Sequence, residues 1–251
     1  MKYKALFLDV DDTLVVHGID NLPSKRVRAA IAKLKQKNVF VCLATSRPLH
    51  VAINIIDHLD MTGLCVISGG AQIYDPVQKK MVREILLPKA AVPTVVSLAE
   101  REMLKIGYFD GEKDRLLPQR SLPETDHIIG MYLPEVNLAH VDDIEKKLRE
   151  LEKVAVHRML SWDKQFAWFD ITHRESTKLH GIKAVSKMLG LKPSEIVGVG
   201  DGYNDFPLLK ASGLKVAMGN AVPELKRMAD FIAPSIDEDG VATVIETFFL
   251  S

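Results

Sequence analysis

Two cysteines are all that 251 residues contain. Cys42 and Cys65 both sit inside apolar runs, "VFVCLAT" and "GLCVIS", which argues against a disulfide framework and for small buried hydrophobes in a reducing compartment. Long apolar runs are missing as well: no segment approaches the roughly 18 consecutive apolar residues of a membrane span. The N-terminal stretch breaks at Asp9 with no small-residue cleavage site after it, so it does not read as a signal peptide, and the cytoplasm is the expected location. Nor is there a net charge, because 33 basic residues match 33 acidic ones. Without a field of one sign, neither nucleic acid nor an anionic membrane is an expected partner, and a charged ligand must be handled by local groups. What the chain does have is 47% hydrophobic content, enough for a substantial core in one large domain or two modest ones.

Short β-rich runs alternate with amphipathic ones from the start: "KALFLD", a helix over 24–36, "VFVCLAT", a helix over 49–59, then "LCVIS". That βαβαβ grammar predicts a parallel sheet with helices on both faces. It returns near the C-terminus as a helix over 177–189, "IVGVG", a helix over 205–211, "LKVAM", a helix over 223–228, "FIA" and a closing helix over 241–249. The middle differs. A helix over 90–105 leads to "KIGYFD" and "RLLPQ", then "HIIGMYLP", a helix over 139–151, "VAVHRML" and "QFAWFDI". Strands in adjacent pairs predict antiparallel pairing, so residues 85–172 read as an inserted α+β domain within an α/β core of 1–84 and 173–251.

At the end of the first predicted strand, "FLDVDDTLV" places Asp9, Asp11 and Asp12 where repelling charges are unwelcome. Side chains two apart on a strand point the same way, so Asp9 and Asp11 can converge at the C-terminal strand end, where open parallel sheets bind ligands. Alone, D-x-D is more often a solvated loop or a helix cap. "GVGDGYND" repeats the theme: Asp201 and Asp205 follow a β-rich run, and three glycines permit close backbone approach. A tight turn with Asp205 as helix cap is the structural alternative. A dinucleotide fingerprint is not, since Tyr203 stands where a glycine is required and the acids oppose a pyrophosphate. Four or five carboxylates at neighbouring strand ends raise one another's pKa unless a cation neutralises them, and hard oxygen ligands select Mg²⁺.

Two further positions join the set. "CLATSRP" ends the second strand with Thr45, Ser46 and Arg47, whose hydroxyls, N–H groups and helix start can hold a phosphate oxygen; read structurally, Thr45 or Ser46 is an N-cap before Pro48. Lys178, in "RESTKLHGI", falls in the first turn of a predicted helix, where the macrodipole disfavours a cation by about 0.3–1 kcal/mol. Replacing it is therefore expected to leave stability unchanged or slightly higher.

"DVDDT", "ATSR", Lys178 and "GVGDGYND", in that order and with a large insertion between the second and third, resemble the four motifs of the haloacid dehalogenase-like phosphohydrolases. The resemblance spans essentially the whole chain. The position of the insertion, its repeated helix-strand-strand pattern and "ISGGAQIYD" resemble the Cof-type branch with a C2B cap. The resemblance implies that Asp9 is a nucleophile forming an aspartyl-phosphate, with Asp11 as general acid/base. It implies Mg²⁺ on the Asp9 side chain, the Asp11 carbonyl and Asp201, with Asp205 supporting directly or through a neighbour. Thr45 and Lys178, with Ser46 and Arg47, would bind phosphate, and Asn204 would position phosphate or a loop. The partner is then a small phosphorylated metabolite, a sugar phosphate or phosphorylated cofactor, acted on by a monomer or homodimer.

Three positions depart from the family pattern: Asp12 and Ser46 replace glycines, and Leu179 stands where glycine is common after the lysine. Asp12 is expected to turn outward and cap or hydrogen-bond the following loop. His157, His173 and His180 lack ligand spacing and read as surface or hydrogen-bonding residues; Trp162, Trp168, Tyr108 and Tyr132 read as cap core or rim. The insertion is expected to act as a mobile lid hinged near 87–93 and 170–175, with "FDGEKDR" and "PQRSLPETDH" as specificity loops. A phosphotransferase or mutase using the same intermediate is the enzymatic alternative, and a phospho-aspartate signalling module is the non-enzymatic one.

Overall fold

The computed structural model describes residues 2–16, 22–118, 121–160 and 165–251, in two compact units: Met1–Arg83 with Thr177–Ser251, and Glu84–Ser176. The unit limits fall one residue before and four residues after the expected ends of the insertion. The second shift has a local cause, because the last strand of the insertion runs through His173 and the Ser176 N–H donates to the His173 carbonyl.

The first unit opens with β1 (Ala5–Leu8), α1 (Lys25–Gln36), β2 (Phe40–Leu43), α2 (Leu49–His58), β3 (Cys65–Ile67), β4 (Gln72–Asp75) and β5 (Lys80–Glu84). In α1 the buried positions Val27, Ala30, Ile31 and Leu34 follow the i, i+3, i+4, i+7 spacing of one face, and the Ser24 hydroxyl caps its start by accepting from the Val27 N–H at 3.1 Å. Each large aliphatic buried on that face contributes roughly 1.5–3 kcal/mol. Leu34→Ala would cost about 2–5 kcal/mol.

The inserted unit follows with α3 (Ala91–Arg101), β6 (Gly107–Phe109), β7 (Asp114–Leu116), β8 (Gly130–Asn137), α4 (Val141–Arg149), β9 (Val154–Leu160) and β10 (Phe166–His173). Its sheet, ordered β7-β6-β8-β10-β9, pairs antiparallel throughout. Ala167, Phe169 and Ile171 of β10 and Met131 and Leu133 of β8 are buried in one apolar cluster with Val95 and Ala99 of α3 and Ile144 and Leu148 of α4. Alternation places Trp168, Asp170 and Tyr132 on the other face, where the Trp168 and Tyr132 rings stack with centroids 5.0 Å apart. Tyr108 is buried in the cluster, and Trp162 and part of "RLLPQ" lie outside the described residues. Both helices are shorter than their periodicity suggests. Met103 takes a left-handed φ of 54° just beyond α3, and Asn137 holds the entry to α4 through the N–H groups of Ala139 and His140.

The chain returns to the first unit with α5 (Lys178–Met188), β11 (Ile196–Gly200), α6 (Phe206–Ala211), β12 (Leu214–Ala217), α7 (Pro223–Met228), β13 (Phe231–Ile232) and α8 (Gly240–Ile245), which continues as a π-helical turn over Glu246–Leu250. The central sheet, ordered β13-β12-β11-β1-β2, is parallel in every ladder. Helix α1 packs on α8 and α5 on α6, completing an α/β core with helices on both faces. Leu8 lies opposite both Leu43 and Val199. That register brings the C-terminal ends of β1, β2 and β11 level, and the residues following them are Asp9, Thr45 and Asp201.

The third parallel strand expected at "LCVIS" is reduced to a single parallel bridge, Ala44 to Val66. From there the chain reverses and β3-β4-β5 form a separate small sheet, two strands of which the sequence reading lacked. The reversal is made by Ser68, Gly69 and Gly70, whose φ values are 50°, 66° and 108°. Gly70 has a further reason to be glycine: a Cβ there would stand 2.1 Å from the Thr177 carbonyl oxygen, at the start of α5.

Candidate functional site

Asp9 extends the β1 ladder by one residue, its N–H donating to the Val199 carbonyl at 3.0 Å, and its side chain is buried. The ammonium of Lys178 donates to Asp9 Oδ1 and to Asp205 Oδ1, each at 2.6 Å. Lys178 is the first residue of α5, after Thr177, whose hydroxyl accepts from the His180 N–H and so caps the helix. The dipole penalty of about 0.3–1 kcal/mol is small beside two close carboxylates in a dry site. The expectation that stability is indifferent to Lys178 is thereby corrected: removing it strands two buried acids.

Asp205 is fully buried and has both oxygens engaged, Oδ1 by Lys178 and Oδ2 by the backbone N–H groups of Asp201 and Gly202 at 3.0 Å each. A Cβ on Gly200 would lie 2.5 Å from Asp205 Cγ, so the glycine makes room for that carboxylate. Asp205 thus fixes the loop after β11 and positions Lys178. Asp201, the half-buried member, accepts from the Thr13 hydroxyl at 2.9 Å. Oxygens of Asp9, Asp201 and Asp205 lie within 4.8 Å of one another.

Burial and the neighbouring carboxylates govern the electrostatics. Burial pushes the Asp9 carboxyl above its usual range, against the pull of Lys178. Asp201 is pushed up to about 7, by burial first and then by the charges of Asp205 and Asp12, with the Thr13 hydrogen bond opposing. Lys178 stands above its ordinary value: burial opposes its charge, but Asp9 and Asp205 more than offset that. One ammonium thus faces three carboxylates. An all-oxygen set with unneutralised negative charge is the donor chemistry of a hard divalent cation, and these residues fit one.

Asp11 does not join that cluster. Its carboxylate is gripped by the guanidinium of Arg47, Nε to Oδ2 at 3.1 Å and the second nitrogen to Oδ1 at 2.7 Å. Thr45 is buried and its hydroxyl accepts from the Arg47 N–H at 3.1 Å. The N-cap of α2 is Pro48, without a side-chain cap bond, so the capping reading of Thr45 and Ser46 gives way. Ser46 is exposed. Asn204 is also exposed, on the turn Tyr203–Asp205, and a Cβ added at Gly202 would meet its carboxamide oxygen at 2.7 Å.

Asp12 takes a φ of 53°, the left-handed region in which glycine is free of strain and aspartate is tolerated. Its N–H donates to the Val15 carbonyl and its own carbonyl accepts from the Asn220 carboxamide at 2.7 Å. His180 bonds the Thr177 hydroxyl and His173 accepts from the Glu175 N–H, both structural roles. Two supporting residues escaped the sequence reading, Thr13 and Asn220. Thr13 stands within the "DVDDT" motif, and a buried hydroxyl beside three acids is the signal that could have found it.

The family model described as haloacid dehalogenase-like hydrolase matches residues 6–117 and 120–245. Among curated proteins, the chain is 24% identical to the putative phosphatase YkrA of Bacillus subtilis, over 98% of this chain and 98% of that one. It is also 24% identical to the 5-amino-6-(5-phospho-D-ribitylamino)uracil phosphatase YitU of the same organism, over 96% of each. A crystal structure of a haloacid dehalogenase-like hydrolase from Bacteroides thetaiotaomicron superposes with a TM-score of 0.82 at 25% identity, covering 99% of this chain and 100% of that one.

Proposed function

The chain belongs to the haloacid dehalogenase-like hydrolases, of the Cof type, and from that we propose that it is a Mg²⁺-dependent phosphatase of small phosphomonoesters working through an aspartyl-phosphate on Asp9. The observation that carries the reading is the buried junction of Asp9, Lys178 and Asp205 with Asp201 beside it. A strand-end carboxylate held in place by a lysine at a helix start is poised to react with phosphorus, and fixing a loop, as Asp205 does, does not by itself call for two further acids beside it.

In this mechanism Asp9 attacks the phosphorus of the ester, the P–O bond to the alcohol breaks, and Asp11 gives the departing alcohol its proton. Water then attacks the aspartyl-phosphate and yields a proton to Asp11, inorganic phosphate leaves and Asp9 is regenerated. Lys178 balances charge on the phosphoryl oxygens while restraining the nucleophile. Thr45, whose hydroxyl oxygen already accepts from Arg47, has its O–H left to donate to a phosphoryl oxygen. Asp205 keeps Lys178 and the loop carrying Asp201 in register. Asp9, Asp201 and the Asp11 carbonyl would hold Mg²⁺, which when bound neutralises the carboxylates and the charge of the transferring phosphoryl group.

Small phosphorylated metabolites are the proposed substrates; YitU, by its name, acts on a phosphorylated ribitylaminouracil. The decisive experiment follows phosphate release from a panel of sugar phosphates and phosphorylated cofactors with Mg²⁺ and with chelator. Labelled ester quenched in acid should leave phosphate on wild-type protein and none on Asp9→Asn. Release undiminished by chelator or by that substitution would refute the mechanism. Phosphate delivered to an added alcohol in preference to water would make the enzyme a transferase.

A further inference from the structure

The contact between Asp11 and Arg47 is hard to reconcile with a proton donor waiting beside the nucleophile. Both guanidinium donors take both carboxylate oxygens, at 3.1 and 2.7 Å, a two-point geometry that serves a phosphoryl group equally well. Each backbone is pinned. The Arg47 N–H donates to the Thr45 hydroxyl, its carbonyl accepts from the Ser68 N–H at 2.9 Å, and Asp11 is bridged to Val15. The side chains are less enclosed: they keep 19% and 29% of their exposure, unlike the buried pair of Lys178 and Asp9. An ion pair that solvent reaches, between fixed backbones, is one that an incoming anion can contest through side-chain rotation.

We propose that Arg47 is a positioning residue whose guanidinium is contested by the Asp11 carboxylate and a phosphoryl group, so that an arriving phosphoryl group takes the guanidinium and displaces Asp11 from it. Phosphate binding and release of the proton-transfer group become one event. The proposal rests on the phosphatase reading for its purpose, but its central claim is a competition between Asp11 and phosphate for Arg47, and that is measurable without turnover.

The test is calorimetric titration of inorganic phosphate into the full-length protein in Mg²⁺ buffer, for wild type, Asp11→Asn, Arg47→Met, Arg47→Lys and the double variant Asp11→Asn with Arg47→Met. Removing the charge of Asp11 from the guanidinium should tighten phosphate binding in Asp11→Asn by about tenfold, the scale of a charge-assisted hydrogen bond. Arg47→Met should weaken binding by about as much, and Arg47→Lys, which keeps the charge and loses the fork, should recover only part of the loss. In the double variant the gain from Asp11→Asn should vanish. A gain that persists there would mean simple relief of repulsion and would overturn the proposal, as would an Asp11→Asn protein that binds no tighter than wild type. Absence of phosphate binding in every form overturns it as well. The predicted binding pattern in a protein that releases no phosphate from any ester would uphold the competition and sink the phosphatase reading; hydrolysis without the pattern would do the reverse.

Discussion

Both units carry solvated ion pairs, such as Arg26 with Glu246 in the first, but the first also holds a buried junction that has no counterpart among the described residues of the inserted unit. In the first, Lys178 meets Asp9 and Asp205 with side chains exposed by no more than 4%, whereas in the inserted unit Lys105 meets Glu135 at exposures of 64% and 52%. Arg158 with Asp142 and Lys89 with Asp126 are likewise superficial. A solvated pair gains little, because water already serves both partners. A buried one has no such fallback, so each member depends on the others and the arrangement persists only if it is complete. The first unit thus adds to its surface pairs a buried concentration of charge where chemistry is proposed, whereas the described pairs of the second lie at its surface.

The largest effect expected is on turnover. Asp9→Asn should lower kcat by on the order of 10³-fold or more while the protein remains folded, since it removes the nucleophile and one negative charge from a crowded site. Comparable rates by phosphate release, with circular dichroism confirming the fold, would divorce the buried junction from catalysis.

Next comes stability. Lys178→Met leaves Asp9 and Asp205 without their cation and should destabilise the protein by about 3–5 kcal/mol in chemical denaturation. Lys105→Met, the matching change in the inserted unit, should barely move the midpoint. Equal losses in the two variants would erase the distinction between buried and solvated pairs.

Much of this division was legible in the sequence, and the exceptions have physical causes. Periodicity separated the parallel core from the antiparallel insertion because helix-spaced and strand-spaced runs alternate in one and pair off in the other. The acids were found because charge at the end of an apolar run is anomalous. The strands Gln72–Asp75 and Lys80–Glu84 were missed, since the turn between them is made by one side chain, Asp75 Oδ1 accepting from the N–H groups of Val77 and Gln78. The grip of Arg47 on Asp11 was also out of reach: the motif places both residues at the site, and only coordinates show which partner each takes. The role of Lys178 in stability was misjudged because the helix dipole is visible from sequence and the buried carboxylates opposite are not.

A subtler effect links charge to pH. Burial raises the Asp201 carboxyl from an ordinary 3.8 to about 7, so across that window the folded protein keeps a proton that the unfolded chain has lost, and stability falls as pH rises. A bound divalent cation relieves that penalty. The increase in melting temperature on adding Mg²⁺ should therefore be larger at pH 8 than at pH 5; an equal increase at both would show that Asp201 does not face the ion.

The smallest effect concerns a place where the inserted unit, like the core, buries a carboxylate. Asp170, on the strand face it shares with Trp168, takes the indole N–H at 2.6 Å, and burial holds its carboxyl above the usual range despite that bond. Because the raised pKa again means stability lost as pH climbs, Asp170→Asn should raise the melting temperature slightly at neutral pH, and the gain should shrink toward pH 4. A drop at neutral pH would mean that the ionised carboxylate is wanted there.

The lysine and the aspartate it holds are separated by 169 residues of chain, and the strands on either side of the site, β1 and β11, come from opposite ends of the sequence. During synthesis, β1 must therefore wait with β2 for a neighbour that emerges only after the whole insertion has been made. The inserted unit pairs its strands within a shorter stretch of chain, and its formation would shorten the loop that the core has left to close. Because β11 follows Lys178 in the chain, the ladder that encloses Asp9 forms only after the lysine that balances it has been made.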